Sequence, residues 1–355
     1  MAKRNIIIVG GGSAGVNAAR ALSKTLDSSK YELILVNPLP YRIWLIATLR
    51  LAVTQDEDLK NNIFLPYDKV FLNGNGKFVR GKVVSFTHSK EGGTVTLESG
   101  ETIDTDGVTE HLSTFHGKFS KAKHIVLAGG GADKKVTIVH GDKLLLNPTY
   151  PDKVRKAAAA SLTARGIELV LDHFINEPET KEVQGITTAA GKEIKTADLV
   201  VQSRGPRPNT AFVSEALGDS ALSSLGLIRV RPTLQLAEHD NIFAAGDVIN
   251  WQEQKQAAKA GGHGKLVASN IQAFLNETSM KPYKGASEMI VITNGKVGFS
   301  VRFFAWQEIN IDIPLQNSGL GYFGILWGIT LGGWFARLVK SQSLLVPMFK
   351  GEQGY

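Results

Sequence analysis

Near the N-terminus, Gly10-Gly11-Gly12-Ser13-Ala14-Gly15 has the residue types and spacing to hold a diphosphate. The pattern is Gly10-x-Gly12-x-x-Gly15, with an apolar strand before it and a helix after it. Gly10 permits the tight turn out of the strand, and Gly12 lets the backbone approach a pyrophosphate. Gly15 lets the helix pack closely on the sheet. The pyrophosphate then rests on the helix N-terminus, where free N–H groups and the dipole attract it. This predicts binding of a dinucleotide. Asn37, 22 residues after Gly15, stands where an acid commonly takes the ribose hydroxyls. An amide can still bond a ribose, without charge assistance.

A second constellation lies far downstream. Asn241-Ile242-Phe243-Ala244-Ala245-Gly246-Asp247 reads as a short apolar strand ending in Gly-Asp. A helix rich in Lys, Ala and Gly follows over Gln254–Phe274, with Lys255, Ala257 and Gly261 at its start. Its N-terminus is suited to stabilising negative charge on a bound group. Strand, Gly-Asp and helix, paired with a distant glycine fingerprint, are far more specific than either part alone.

These residues need a scaffold, and the chain supplies one. Asn5–Val9 and Glu32–Val36 read as buried strands, with an amphipathic helix between them over Val16–Leu26. A meander follows over Lys82–Thr87 and Thr94–Glu98, turning at Ser99-Gly100. From Asp104 to Lys123 there is no apolar run, so a polar loop is expected, and His111 and His116 within it are expected to be solvated. A second α/β unit opens with the strand His124–Ala128 and Gly129-Gly130-Gly131, then the strand Val136–Val139 ending at His140. An amphipathic helix over Asp152–Arg165 and strands Glu168–Leu171 and Asp198–Gln202 complete it.

With both motifs in place, the chain resembles the apoptosis-inducing-factor-like branch of the pyridine-nucleotide flavoprotein reductases. Within that branch it is most similar to the ferroptosis-suppressor-like NAD(P)H:quinone oxidoreductases. Other segments share the likeness. Ala47-Thr48-Leu49-Arg50 is similar to the family's A-A-L-R segment, whose arginine contacts FAD. Phe78–Val83 is similar to the strand that meets the adenine, at Val83. Gly205-x-x-Pro208-Asn209 looks like the turn that closes the NAD domain, and Arg337-Leu338-Val339-Lys340-Ser341 like the family's closing segment. The resemblance implies an α/β, Rossmann-like, two-dinucleotide-domain flavoprotein fold with FAD and NAD(P)H as cofactors. It implies hydride transfer from NAD(P)H to FAD and electron delivery to a quinone-like acceptor. In its terms Asp247 accepts a hydrogen bond from the ribityl chain, and the following helix faces the pyrimidine edge of the flavin. FAD would be held by Gly10, Gly11, Gly12, Ser13, Ala14, Gly15, Asn37, Arg50, Val83, Gly246, Asp247, Lys255 and Ala257. NAD(P)H would meet Gly129, Gly131, His140 and Gly205. The flavin carries the chemistry, so no catalytic side chain is required.

The domain limits follow: 1–123 and 211–280 form the FAD-binding domain, 124–210 the inserted NAD(P)H domain, and 281–355 a C-terminal domain. Two departures stand out. The strand ending in Ala-Thr-Gly that this class carries after the meander is missing from 103–123. Between Gly131 and Val136 only Ala132-Asp133-Lys134-Lys135 remain, too few for the helix of a parallel crossover. The NAD(P)H domain therefore reads as truncated. A hairpin or unpaired strands are expected there, with weak nicotinamide binding, and His140 supplies no acid for a ribose. These gaps leave a second reading open. The chain is then a flavin-binding or inactive remnant (a shortened isoform, an incomplete gene model or a pseudo-enzyme) acting as an interaction protein.

Composition narrows the rest. The chain has 355 residues, 43% hydrophobic and 21% charged, with net charge +7. A packed core is expected, and neither nucleic acid nor metal is expected as a ligand. The absence of cysteine excludes disulfides, iron–sulfur clusters and a redox dithiol. A cytoplasmic protein is expected, since no signal segment precedes the first strand. The segment Ile313–Ala336 holds 24 uncharged residues, six of them glycine, with Gly324-x-x-x-Gly328-x-x-x-Gly332 inside it. Trp327 and Trp334 within it, and Arg337 and Lys340 after it, suit peripheral contact with a membrane through 319–340. A spanning helix there would be at the lower limit of length. Phe299–Asn317 matches no pattern.

Overall fold

The computed structural model describes residues 3–54, 57–89, 92–105, 124–127, 135–176, 181–203, 208–292, 320–323, 329–331 and 343–355. Chain order in the first unit is β1 (Arg4–Val9), α1 (Ser13–Thr25), β2 (Tyr31–Asn37), β3 (Tyr41–Ile43), α2 (Leu45–Thr54), α3 (Glu57–Ile63), β4 (Phe64–Pro66), β5 (Lys77–Arg80), β6 (Val83–Ser89), β7 (Gly92–Leu97) and β8 (Thr102–Thr105). Strands β1, β2 and β5 form a parallel sheet with β2 in the middle, Ile6 opposite Leu33 and Leu35 opposite Phe78. A sheet covered on both faces needs a near-continuous apolar run. Leu33-Ile34-Leu35-Val36 supplies it and is buried throughout. Each such side chain contributes about 1.5–3 kcal/mol of burial.

Strands β6, β7 and β8 form the antiparallel meander. Strand β8 occupies the start of the stretch expected to be a polar loop. Thr102-Ile103-Asp104-Thr105 holds one apolar residue, and Gly100, at φ +87°, turns it back so that Thr102 pairs with Thr96. One apolar residue is too weak a signal to separate a strand from a loop. The remainder of that loop, with His111 and His116, lies outside the described residues.

The second unit comprises β9 (His124–Leu127), β10 (Lys135–His140), α4 (Asp152–Thr163), β11 (Glu168–Leu171), β12 (Lys181–Glu182), β13 (Ile186–Thr187), β14 (Glu193–Ile194) and β15 (Leu199–Val201). Its sheet has the order β11-β10-β9-β15-β12, antiparallel only at β12. The expected hairpin or unpaired strands are not what forms: β9 and β10 pair in parallel, with Lys135 opposite His124 and Ile138 opposite Leu127. The reason is reach. The return from Leu127 to the level of His124 covers roughly 10 Å, and the connecting residues can extend to more than twice that at ~3.3 Å each. A short β9 needs no helix to close a parallel pair. The connection itself, with Gly129 and Gly131, lies outside the described residues.

The chain then returns through α5 (Ala211–Leu217) to α6 (Ala257–Leu275), and ends with β16 (Met289–Ile292), β17 (Leu320–Phe323), β18 (Ile329–Leu331) and α7 (Val346–Gln353). The segment Asn241–Ala245 is extended, but it makes a single bridge, Gln235 to Phe243, rather than a strand. Helix α6 lies against α1. A Cβ on Gly264 would come within 2.1 Å of the Ala14 carbonyl oxygen, so glycine there sets how close the two helices lie. Helix α6 starts at Ala257 with Gln256 as its N-cap, later than expected. Lys255 stays outside it, and its ammonium donates to the Ile249 and Trp251 carbonyls. The described parts of Ile313–Ala336 are β17 and β18, an antiparallel pair beside β16, so one helix does not run through that segment. Among the described residues no helix is long and apolar enough to cross a membrane.

Candidate functional site

The glycine fingerprint forms the turn from β1 into α1. Gly10 has φ +106° and donates its N–H to the Val36 carbonyl at 2.8 Å. A Cβ on Gly15 would sit 1.9 Å from the Gly10 carbonyl oxygen, and one on Gly11 would strike the Tyr67 hydroxyl. Gly12 alone of these three has open space beside it. Asn37 is buried, and its amide is engaged by backbone at both ends. Its Oδ1 accepts from Gly11 N at 3.0 Å, and its Nδ2 donates to the Leu39 carbonyl at 2.9 Å. An aspartate could not donate to Leu39, which gives the amide a local reason to stand here.

Arg42, on β3, reaches the same turn. Its Nη2 donates to Ser13 Oγ at 2.6 Å and lies 2.8 Å from Glu352 Oε2 of α7. The side chain is 4% exposed, and Nη1 is buried without a hydrogen-bond partner. Burial lowers the guanidinium pKa, and Glu352 opposes that shift. Tyr67, whose hydroxyl donates to the Gly11 carbonyl, is raised by burial. Val83 begins β6 and is buried; Arg50 is on α2, with its side chain outside the described residues.

The second half-site is a turn held from behind. Gly246 has φ +85° and is buried, and its N–H donates to His263 Nδ1 at 3.2 Å. Nδ1 therefore carries no proton. The ring's other nitrogen, Nε2, lies 2.9 Å from Glu253 Oε1. Burial lowers the His263 pKa and Glu253 opposes it, consistent with a neutral ring. The Tyr283 hydroxyl donates to Glu253 Oε2 at 2.9 Å, and its ring meets His263 edge-on at 4.5 Å. Lys259, 4% exposed, lies 2.5 Å from Glu288 Oε1 and 3.9 Å from Glu253 Oε2. This leaves Asp247 at the solvent side of the turn. Partial burial raises its pKa, and Lys255 opposes that shift. Lys255 is itself lowered by burial, with Asp247 opposing.

The structure thus sets Gly10–Gly15 and Asn37 at the start of α1 and the Gly246–Asp247 turn beside His263 of α6, and the two helices touch at Ala14 and Gly264. Lys255 and Ala257 border the start of α6. In the NAD(P)H unit, His140 ends β10 with Nε2 4.0 Å from Asp142 Oδ2. Asp142, two residues past His140, is a carboxylate the sequence reading did not single out, and Arg155 Nη2 lies 3.9 Å from it. Gly129, Gly131 and Gly205 lie outside the described residues. Thr149 and Tyr150 of this unit bond Gln254 and Gln256 ahead of α6, so the two units meet at the second half-site. Arg42, Glu253, Lys259, His263 and Tyr283 went unnoticed in the sequence. Arg42, Lys259 and His263 were signalled only as a polar residue inside an apolar or small-residue run, and Glu253 and Tyr283, in polar stretches, gave no signal.

FAD suits these residues. The α1 N-terminus has no side-chain cap and no acid in its first turn, Gly12 is open, and a buried guanidinium with an unpartnered nitrogen stands beside it. A glycine turn opening α1 and a Gly-Asp turn held by α6, on one α/β frame, are those of a flavoprotein oxidoreductase of the Rossmann-like class. Residues 131–264 match the pyridine nucleotide-disulphide oxidoreductase family model. The chain is 38% identical to FAD-dependent oxidoreductase FVFD30 of Flammulina velutipes, over 84% of this chain and 97% of that protein. It is 27% identical to ferroptosis suppressor protein 1 of Xenopus tropicalis, over 98% and 96%. Among solved structures, a ferredoxin reductase from Rhodopseudomonas palustris superposes with a TM-score of 0.61 at 17% identity, covering 84% of each chain. The sulfide:quinone oxidoreductase of Aquifex aeolicus gives 0.63 at 15% identity, over 99% and 92%. The chain belongs to the FAD-dependent oxidoreductases of the pyridine nucleotide-disulphide oxidoreductase family, which use NAD(P)H as electron donor.

Proposed function

We propose that this protein passes electrons from NAD(P)H through FAD to a quinone-like acceptor. The observation that carries the reading is the pairing of the open Gly12 turn with the Gly246–Asp247 turn across closely packed α1 and α6. FAD, when bound, supplies hydride acceptance and electron storage. The chain's own part is binding and orientation. The α1 amides and Ser13 meet the diphosphate, Asp247 meets the ribityl chain, and the amides opening α6 favour negative charge beside them. Asp142, just past β10, takes the place of the acid that bonds an NAD ribose, which favours NADH over NADPH. The quinone-like acceptor rests on the resemblance carried by Arg50, Val83 and the closing segment at Arg337–Ser341. A cytoplasmic location, peripheral on a membrane through 319–340, completes the reading and rests on the uncharged, Trp-containing segment and its basic flank.

The test is the visible spectrum of the purified protein, followed under anaerobic conditions. A yellow protein that bleaches with NADH and regains its colour with a soluble benzoquinone supports the reading. A protein that stays colourless after incubation with FAD overturns it, and one that bleaches but is reoxidised only by another acceptor class overturns the quinone assignment.

A further inference from the structure

A buried charge close to a phosphate-binding turn needs a purpose, because removing it from water is costly. Arg42 is such a charge. It is fixed against the rings of Trp44 and Phe349, at 5.7 and 5.0 Å from their centroids. Its Nη2 serves both Ser13 Oγ and Glu352 Oε2, while Nη1 is buried and has no partner. Ser13 is the first residue of α1, whose N-terminus carries no side-chain cap and no acid in its first turn. The open side of that turn is at Gly12. A guanidinium carries five N–H donors, and here Nη2 is engaged while Nη1 is not.

Glu352 is the other half of the arrangement. It belongs to α7, which is tied to the first unit by several further bonds. Trp44 Nε1 donates to the Leu344 carbonyl at 2.6 Å, and Gln353 Nε2 donates to the Leu65 and Pro66 carbonyls. The Tyr355 hydroxyl bonds Asp68. Helix α7 thereby places a carboxylate beside the same nitrogen that bonds Ser13.

We propose that Arg42, fixed by Trp44 and Phe349, is a ligand for the FAD diphosphate through Nη1, and that Glu352 of α7 tempers its charge. The assignment rests on the flavin reading above. Arg42 adds a formal charge to a cradle otherwise made of backbone amides and the Ser13 hydroxyl. With Glu352 paired to it, the site stays near neutral when the cofactor is absent, and a diphosphate tips the balance. The two variants Arg42→Gln and Glu352→Gln therefore act in opposite directions on cofactor affinity. A purely structural tie between β3 and α7 would move them in the same direction.

The experiment uses the full-length protein stripped of flavin. FAD binding is followed by flavin fluorescence quenching at low and high KCl, and folding is checked by circular dichroism. Arg42→Gln is expected to weaken FAD binding by about 10- to 100-fold, the worth of one charge-assisted bond, and to flatten the salt dependence. Glu352→Gln, at a more exposed position, is expected to tighten binding several-fold and steepen the salt dependence. The assignment is overturned if Arg42→Gln binds FAD like the wild type with the same salt dependence. It is equally overturned if Glu352→Gln weakens binding or leaves it unchanged. A wild-type chain that takes up no FAD at all overturns the flavin reading itself, a result distinct from either variant's failure.

Discussion

Replacing His263 separates two jobs that one imidazole performs. Nδ1 accepts the buried Gly246 N–H at 3.2 Å, and the ring packs edge-on against Tyr283. His263→Ala removes both. A buried donor left without an acceptor costs about 1–3 kcal/mol, and loss of the aromatic contact about 0.5–1.5 kcal/mol, so a drop of about 2–4 kcal/mol is expected. His263→Asn puts an amide oxygen close to where Nδ1 was and should recover most of the first part. The pH dependence follows from the lowered pKa of the buried ring. With the folded pKa below the unfolded value, the unfolded chain binds the extra proton first. The stabilisation is therefore full above about pH 6.5 and is lost as pH falls below it, by at most ~1.4 kcal/mol per pH unit. Protonated, the ring would present a donor to the Gly246 donor. His263→Asn should flatten this acid limb, although Glu253, Lys255 and Lys259 also face the ring. Urea unfolding of the wild type and both variants between pH 5 and 8 measures all of this, with FAD affinity read in parallel. An acid limb equally steep in His263→Asn, or His263→Ala unfolding at the wild-type urea midpoint, would refute the reasoning.

Three other outcomes are expected. Lys259→Met leaves Glu253 and Glu288 without their shared buried cation, and should cost about 3–5 kcal/mol, less at acid pH where a carboxyl can take up a proton; urea midpoints at pH 5.5 and 8 check it. Asp247→Ala should lower flavin occupancy more than alanine at exposed Asp219, read from the ratio of visible to ultraviolet absorbance. Deleting residues 319–336 should weaken salt-sensitive flotation with anionic liposomes, and equal flotation of both chains would remove the membrane proposal.

The frame of the first unit was legible because its signals are local. The apolar run Leu33–Val36 and the Gly10–Gly15 turn each state their own conformation. The strand pairing of the second unit was not, because the rule that parallel strands need a helical crossover assumes strands of ordinary length, and β9 spans only His124–Leu127. Gly246 and Asp247 could be found by pattern, whereas the groups that hold them could not. His263, Glu253 and Tyr283 converge from three separate stretches of chain, and nothing in one stretch names the others. Arg42 shows the same limit. Between Tyr41 and Ile43 it reads as an edge-strand cation, and only the arrival of Phe349 and Glu352 makes it a buried one.

That arrival also sets an order of events. Trp44 and its acceptor, the Leu344 carbonyl, are separated by 300 residues. During synthesis the glycine turn leaves the ribosome early, while the helix that packs beside it emerges only after both α/β units have been made. Contacts at such sequence distance form late, because the loop they close is long. Until then β3 lacks the aromatic and carboxylate cover over Arg42, and the guanidinium remains hydrated. On the Arg42 proposal, loading at full strength is expected only once Phe349 has fixed the guanidinium, and a nascent chain stalled before Val346 should retain flavin poorly even though every residue of its glycine turn is already in place.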